Sequence, residues 1–105
     1  RVLLAYAPEA VRVSVMSSPL KRYTPFTITS PEELSKSLFE IRRTRCCSSI
    51  EEMSPGAGSV SCAILDEGNN LLAALSIIGT RFACETEGAL WKALLLEAVK
   101  KVKLA

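Results

Sequence analysis

The sequence contains no histidine and no long apolar run, and these absences remove several classes of function. Without an imidazole, no Ser-His or Cys-His pair can activate a nucleophile, and no histidine can bind a metal ion. No apolar run reaches the roughly 18 residues that a membrane span requires, and no signal-peptide pattern is present. No Gly-rich phosphate loop of the P-loop or dinucleotide-binding type occurs. We therefore expect no catalytic residues, no cofactor and no membrane partner.

The charges are close to balance, which argues against direct binding of nucleic acid. Thirteen Lys and Arg side chains face eleven Asp and Glu side chains, for a net charge of +2 over 105 residues. A domain that holds DNA by itself needs several basic side chains gathered on one face to neutralise phosphates. Here the basic residues are scattered, so we expect this part of the protein not to contact DNA directly.

Four cysteines occur, at Cys46, Cys47, Cys62 and Cys84, and they do not form a metal-binding pattern. No C-x-x-C spacing is present, so a structural zinc site is not predicted. Cys62 lies in an apolar, strand-like segment, where a free cysteine behaves as a small hydrophobic residue. The simplest interpretation is four reduced thiols in a cytoplasmic protein.

Hydrophobic periodicity and capping residues predict an α/β domain with a mainly antiparallel sheet flanked by helices. The strongest local signal is at Ser30, Pro31 and Glu33, which together predict an N-cap, a first helical position and a capping box. The turn-forming residues 66–70 lie between two apolar runs and predict a β-hairpin. The predicted elements are helices at 1–7, 8–16 and 31–45, a connector at 17–30, a strand at 46–50, a loop at 51–58, hairpin strands at 60–65 and 71–78, and a helix from about 86 to 104.

The last predicted helix has a wide apolar side that suits packing across a sheet. This side comprises a stripe of four residues and a second row of three beside it. The stripe is Leu90, Leu94, Ala98 and Val102, and the second row is Trp91, Leu95 and Val99.

Three serines in or beside the apolar strands are the candidate polar residues of the sheet. Ser59, Ser61 and Ser76 each need a hydrogen-bond partner, because an unpaired buried hydroxyl costs about 1–3 kcal/mol. Each serine can bond a neighbouring carbonyl, or it can point into a cavity and bind a ligand. A cavity lined by aliphatic residues and a few hydroxyls suits a small molecule.

Two further features of the loops have less specific interpretations. The carboxylates of Glu51 and Glu52 are interpreted as a solvated loop face, because nothing places either one in the dry pocket that acid–base catalysis requires. Tyr23 and Phe26 flank the connector and could cover an apolar mouth, although ordinary packing is the favoured interpretation.

Several blocks of sequence, in this order and at this spacing, resemble one protein family. They are Arg1-Val2-Leu3-Leu4-Ala5, Pro8-Glu9, Tyr23-Thr24-Pro25-Phe26-Thr27-Ile28-Thr29, Ile41-Arg42-Arg43, Glu51-Glu52-Met53-Ser54-Pro55-Gly56 and Ala73-Ala74-Leu75-Ser76-Ile77-Ile78-Gly79. Together they resemble the effector-binding domain of the isocitrate-lyase-regulator (IclR) type of bacterial transcription factor. No single block is specific, but the ensemble covers nearly the whole chain.

The resemblance implies a small-molecule sensing domain rather than an enzyme. The implied fold is a GAF- or profilin-like curved antiparallel sheet flanked by helices, with a pocket on one side. The implied partners are a small organic or aromatic acid effector and further copies of the protein in a homodimer or tetramer. The chain begins inside a helix-like pattern, so we expect residues 1–105 to be one truncated effector-binding domain. A winged helix-turn-helix domain is expected upstream, and DNA would be bound only through it.

Carried over from the resemblance, the effector-binding positions fall on five residues: Ser49, Ala57, Ser59, Ser76 and Ile78. Three of them depart from common family patterns, since the first position is frequently acidic, the third is often Cys and the last is often Ser. These changes make the pocket more apolar and favour a larger apolar or aromatic effector. The alternative is a degenerate pocket in a domain that serves for oligomerisation.

The resemblance also makes the turn after the third helix unusual. Family members normally carry Gly there, which suits the positive φ of a helix C-cap. This chain has Arg45 followed by Cys46 and Cys47, so we expect a strained or rearranged turn.

Overall fold

A computed structural model describes residues 1–102 and places the helices and strands in the predicted order. No helix among these residues is long and apolar enough to span a bilayer. The predicted end of the last helix near residue 104 lies outside the described residues. The elements are α1 (Val2–Ala5), α2 (Glu9–Ser17), α3 (Pro31–Thr44), β1 (Cys46–Ile50), β2 (Ala57–Leu65), β3 (Leu71–Thr80) and α4 (Arg81–Lys101).

The three strands form one antiparallel sheet in the order β1-β2-β3, which confirms the predicted sheet and hairpin. The hairpin turn is held by Asp66, whose Oδ1 accepts hydrogen bonds from the backbone N–H groups of Gly68 and Asn70, each at 2.9 Å. Asn69 takes the positive φ of +62° that the turn requires. Such turns favour Asn and Gly because these residues tolerate that conformation.

Two apolar clusters cover the two faces of the sheet. On one face α4 packs over the strands, and the buried cluster is Cys46, Val60, Cys62, Cys84, Trp91 and Leu95. On the other face α1 and α3 pack, and the buried cluster is Val2, Ala5, Leu34, Leu38, Ile41 and Ala63. Leu34, Leu38 and Ile41 recur at helical spacing in the sequence and form the buried side of α3.

The start of α3 is capped as predicted, with one difference. The Ser30 hydroxyl accepts a hydrogen bond from the Glu33 N–H at 3.3 Å, and Pro31 occupies the first helical position. The acid that reaches back is Glu32, whose Oε2 accepts from the Ser30 hydroxyl at 2.9 Å. Glu33 was the predicted partner in the capping box. The hydrogen bond from its own backbone N–H, and then the bond from the Ser30 hydroxyl, hold the pKa of Glu32 below its usual value.

The turn after α3 takes the conformation that glycine would take, with an arginine in it. Arg45 has φ +66° and ψ 8°, and its N–H donates to the Ile41 carbonyl at 2.6 Å. The left-handed region costs a residue with a Cβ roughly 1–2 kcal/mol. The turn is therefore strained, which is one of the two outcomes that the sequence predicts.

The last helix begins five residues earlier than predicted, at Arg81. Thr80 is its N-cap residue, and its hydroxyl accepts from the Ala83 N–H at 3.1 Å. A threonine followed by no acidic residue in the first turn is a weak signal.

The predicted apolar side of α4 is confirmed for the row that contains Trp91 and Leu95 and is wrong for Leu90 and Leu94. Trp91 and Leu95 are buried, whereas Leu90 and Leu94 are 56% and 54% exposed. The helix carries apolar residues on several sides, so the periodicity alone does not fix its rotation. The rotation is set by close contact at two glycines of the sheet, Gly58 and Gly79, which lie opposite each other in register.

The prediction of four reduced cysteines is also wrong. Cys46 and Cys62 lie directly opposite each other on β1 and β2, with their Cα atoms 4.2 Å apart, and form a disulfide bond. Cys47 and Cys84 are free thiols. The pairing depends on the register of two strands, which the sequence spacing alone does not reveal.

Candidate functional site

The five predicted site residues lie on one face of the sheet, the face turned away from α4. Ser49, Ser59 and Ile78 form a row of directly opposed residues across the three strands. Ser76 lies two residues from Ile78, and Ala57 lies two residues from Ser59. Because side chains alternate along a strand, all five point to the same side. We call this surface the serine face. Their role in binding stays a prediction.

A cavity of about 580 Å³ lies over the part of the serine face formed by β1 and β2. Ser49 and Ser59 line it, whereas Ala57, Ser76 and Ile78 do not, and Ile78 is 76% exposed. The floor is Cys47, Ser49, Ser59 and Ser61, and the apolar walls include Val2, Val15, Leu20, Ile28, Leu34 and Met53. Its volume is within the range of small-molecule sites.

The hydroxyls of the serine face have two kinds of surroundings. Those of Ser61 and Ser76 are 2.6 Å apart and bond each other across β2 and β3. Two hydroxyls carry two protons and this contact uses one, so one O–H remains to donate elsewhere. Ser49 and Ser59 have no side-chain hydrogen bond to any residue that the structure describes. For Ser61 and Ser76 the structure shows a third arrangement, because their hydroxyls bond each other rather than a neighbouring carbonyl.

Two cations and one anion line the cavity. Arg1 forms an ion pair with Glu52 and donates further hydrogen bonds to the Ser37 hydroxyl at 2.6 Å and the Ser48 carbonyl at 3.0 Å. Lys21 forms no ion pair with any residue in 1–102, and its Nζ lies 5.1 Å from the centre of the Tyr23 ring. The lining therefore has one net positive charge, which suits a monoanion.

The interpretation of Glu51 and Glu52 as a solvated face is wrong. Their side chains are only 15% and 16% exposed, and each one pairs with an arginine. Glu51 contacts Arg81 at 3.2 Å and accepts from the Gly56 N–H at 3.3 Å. These carboxylates fix the loop at the edge of the cavity, and their partners lie far away in the sequence, at the start of α1 and of α4.

Two threonines of the connector attach it to this acidic loop. The Thr24 hydroxyl donates to the backbone carbonyl of Glu51, and the Thr27 hydroxyl donates to that of Glu52. Thr24 is only 5% exposed, so its hydroxyl has the Glu51 carbonyl as a hydrogen-bond partner in place of water. Sequence reasoning missed this role, although a Thr-x-x-Thr spacing places two hydroxyls on one side of a turn.

The aromatic residues of the connector divide between two surroundings. Tyr23 lines the cavity, which agrees with the less favoured interpretation of a cover over an apolar mouth. Phe26 is outside the cavity and lies under the Arg81 guanidinium, 5.9 Å from it.

Cys47 is a cavity residue that the sequence analysis did not select. Its side chain shares the serine face, since it lies two residues from Ser49 and opposite Ser61. Burial raises the pKa of the Cys47 thiol, so the group stays protonated and weakly nucleophilic at neutral pH. Within residues 1–102 no group of three or more Cys, Asp or Glu side chains is arranged to hold a metal ion.

Comparison with known proteins gives consistent results for sequence and structure. The family model for the C-terminal part of the bacterial transcriptional regulator IclR matches residues 1–104. The HTH-type transcriptional regulator RhmR of Escherichia coli K12 is 33% identical over 88 residues. That match covers 83% of this chain and 34% of the relative, so the chain spans about a third of the relative's length.

Two solved structures of similar fold contain aromatic acids. An IclR homologue from Microbacterium hydrocarbonoxydans, complexed with 4-hydroxybenzoate, has a TM-score of 0.84 and 30% identity over 94% of this chain and 40% of its own. A double mutant of the inducer-binding domain of the transcription factor PobR from Acinetobacter, complexed with 3-hydroxybenzoic acid, has a TM-score of 0.83. It is 25% identical and covers 95% of this chain and 61% of that one. With the family match over almost all of its length, this chain belongs to the C-terminal, effector-binding domains of the IclR family of transcription regulators.

Proposed function

We propose that this domain binds a small aromatic acid in the cavity over the serine face. The single observation that supports this most directly is the composition of the cavity: apolar walls, a floor with unpaired hydroxyls and one net positive charge. A benzoate-type ligand matches each of these features, with a ring for the walls and an anionic group for the charge. The hydroxybenzoates bound by two structural relatives belong to this class.

In the longer protein we propose that ligand binding changes the affinity for an operator. A winged helix-turn-helix domain upstream of residue 1 would contact the DNA, and this domain would sense the metabolite. By thermodynamic linkage, the ligand can shift operator affinity only as far as its own affinity differs between the two states of the regulator. The part of the cavity best placed to transmit such a difference is the connector, because Thr24 and Thr27 attach it to the acidic loop.

Thermal unfolding of the domain with 4-hydroxybenzoate and 3-hydroxybenzoate tests the binding. A ligand at about 100 times its Kd stabilises the folded state by roughly 2.7 kcal/mol, which raises the Tm of a domain of this size by roughly 10 °C. Ser59→Leu, which fills the floor, should abolish the shift. Ser35→Leu, on the exposed side of α3, is the matched control and should retain it. No shift with any small aromatic or organic acid in a folded sample would contradict the proposal.

A second candidate function is self-association through this domain, with the pocket serving no ligand. The observation that favours it is the exposure of large apolar side chains on α4 and β3: Phe82 is 75% exposed, and Ile78, Leu90 and Leu94 exceed one half. This candidate predicts a dimer or larger species in sedimentation that Leu90→Ser and Leu94→Ser dissociate, with no response to aromatic acids. A ligand-dependent Tm favours the first function instead.

A further inference from the structure

Apart from the Arg1–Glu52 ion pair and the hydroxyls of Ser14, Ser18 and Thr27, polar side chains line the cavity in two places. One is the floor, where the hydroxyls of Ser49, Ser59 and Ser61 reach the surface of the sheet. The other is the connector, where Lys21 and Tyr23 line the cavity. A mainly apolar lining with a few polar groups suits a ligand that carries polar groups on an apolar body.

The two cations of the lining are not equally free to bind an anion. Arg1 already has the Glu52 carboxylate, the Ser37 hydroxyl and the Ser48 carbonyl as partners. A ligand carboxylate that approached Arg1 would displace these bonds and would meet the negative charge of Glu52. Lys21 has no carboxylate partner within residues 1–102, and its ammonium group lies against the Tyr23 ring, which also lines the cavity.

We infer that Lys21 is the residue that selects for acids, binding the carboxylate of the aromatic effector at the connector while a ring hydroxyl reaches the serine floor. This assignment rests on the proposed function and specifies the orientation of the ligand. The Ser61–Ser76 pair has one O–H to spare, and Ser49 and Ser59 have free hydroxyls, so the floor can donate to or accept from a phenol.

A comparison of an acid with its neutral isostere tests the role of Lys21 in the 105-residue chain. Isothermal titration measures the Kd of 4-hydroxybenzoate and of 4-hydroxybenzamide for the wild type, Lys21→Met and Lys36→Met. Lys36 is an exposed lysine on α3 outside this cavity and serves as the matched control. A charge-assisted hydrogen bond makes the acid bind about tenfold more tightly than the amide in the wild type. Lys21→Met should remove this preference by weakening the binding of the acid about tenfold and that of the amide much less, and Lys36→Met should keep the preference.

Two different results would overturn the assignment, and they separate it from the proposed function. If the wild type binds both compounds equally, or if Lys21→Met keeps the full preference for the acid, Lys21 does not bind the carboxylate, although the cavity still binds aromatic ligands. If neither compound binds a wild-type sample with the circular dichroism and melting behaviour of a folded protein, the proposed function fails and the assignment fails with it.

Discussion

Substitution of Gly58 by alanine tests how closely α4 packs on the sheet. A Cβ at residue 58 would lie 2.5 Å from the Cβ and 3.1 Å from the Sγ of Cys84, and 3.4 Å from the Thr80 carbonyl oxygen. The 2.5 Å contact with the Cys84 Cβ is shorter than packed atoms tolerate. Because this Cβ is attached directly to the helix backbone, it cannot move aside as the end of a flexible side chain could. The first turns of α4 would therefore have to move away from β2. Overpacking of this kind costs typically 1–3 kcal/mol.

Gly88, on the next turns of the same helix, provides the matched control. A Cβ there would have its nearest neighbours, the Cys84 Sγ and the Val60 Cγ2, at 4.0 Å, which is ordinary contact. Alanine in a helix is more favourable than glycine by roughly 0.8–1 kcal/mol. Urea or thermal unfolding should thus show Gly58→Ala less stable by about 1–3 kcal/mol and Gly88→Ala more stable by up to about 1 kcal/mol. Equal stability of Gly58→Ala and the wild type would refute the described contact between α4 and β2.

Three other substitutions test separate parts of the fold. Cys46→Ser/Cys62→Ser should lower the free energy of unfolding by about 3 kcal/mol, because the disulfide closes a loop of 16 residues. In chemical denaturation, dithiothreitol should destabilise the wild type and leave the double variant unaffected. Thr24→Val should lower the free energy of unfolding by about 1–3 kcal/mol, because it leaves the Glu51 carbonyl unpaired. Thr24→Ser keeps the hydrogen bond and should lower it much less. Equal losses of stability in the two variants would argue against the hydrogen bond. The hydrogen bonds from the backbone of Asn70 and Gly68 hold the pKa of Asp66 below its usual value. The ionised Asp66 therefore stabilises the folded state above the unfolded-state pKa of about 3.9, and this stabilisation is lost as the pH falls through the lower folded-state pKa. In melts from pH 7 to pH 2, Asp66→Ala should lose stability less steeply below about pH 4 than the wild type, and parallel profiles would contradict this role.

Much of the fold could be predicted because local signals and the global fold agree. The cap at Ser30, the apolar repeat of Leu34 and Leu38, and the turn residues before Asn70 each act within a few residues of the chain. Their physical causes are visible in the sequence itself. These causes are capping hydrogen bonds, burial of one side of a helix and tolerance of positive φ. The family blocks added the prediction of a binding site on the sheet.

The features that were missed depend on contacts between distant parts of the chain. The rotation of α4 is decided by the glycines of β2 and β3, and the disulfide by the register of β1 and β2. The ion pairs of Glu51 and Glu52 join them to residues 30 and 51 positions away. Periodicity and spacing carry no information on such partners, and a loop carboxylate with no visible partner is reasonably taken to be solvated.

The candidate site shows the same division between local and distant information. Strand alternation and the family resemblance together place the serine face, but the sequence does not indicate which part of that face is covered. The structure closes a cavity over Ser49 and Ser59 and leaves Ser76 and Ile78 outside it. Lys21 and Cys47 enter the lining because the connector folds back over β1, and no local pattern predicts that contact.

The measurement that tests the central claim most directly is a map of backbone amide chemical shifts during titration with 4-hydroxybenzoate. We predict saturable shifts concentrated on the floor at Ser49, Ser59 and Ser61 and on the connector at Lys21 and Tyr23. The hairpin turn at 66–70 lies outside the lining of the cavity and should stay unchanged. Shifts confined to the exposed side of α4 or to the hairpin turn, or no shifts at saturating ligand, would contradict an aromatic-acid site on the serine face.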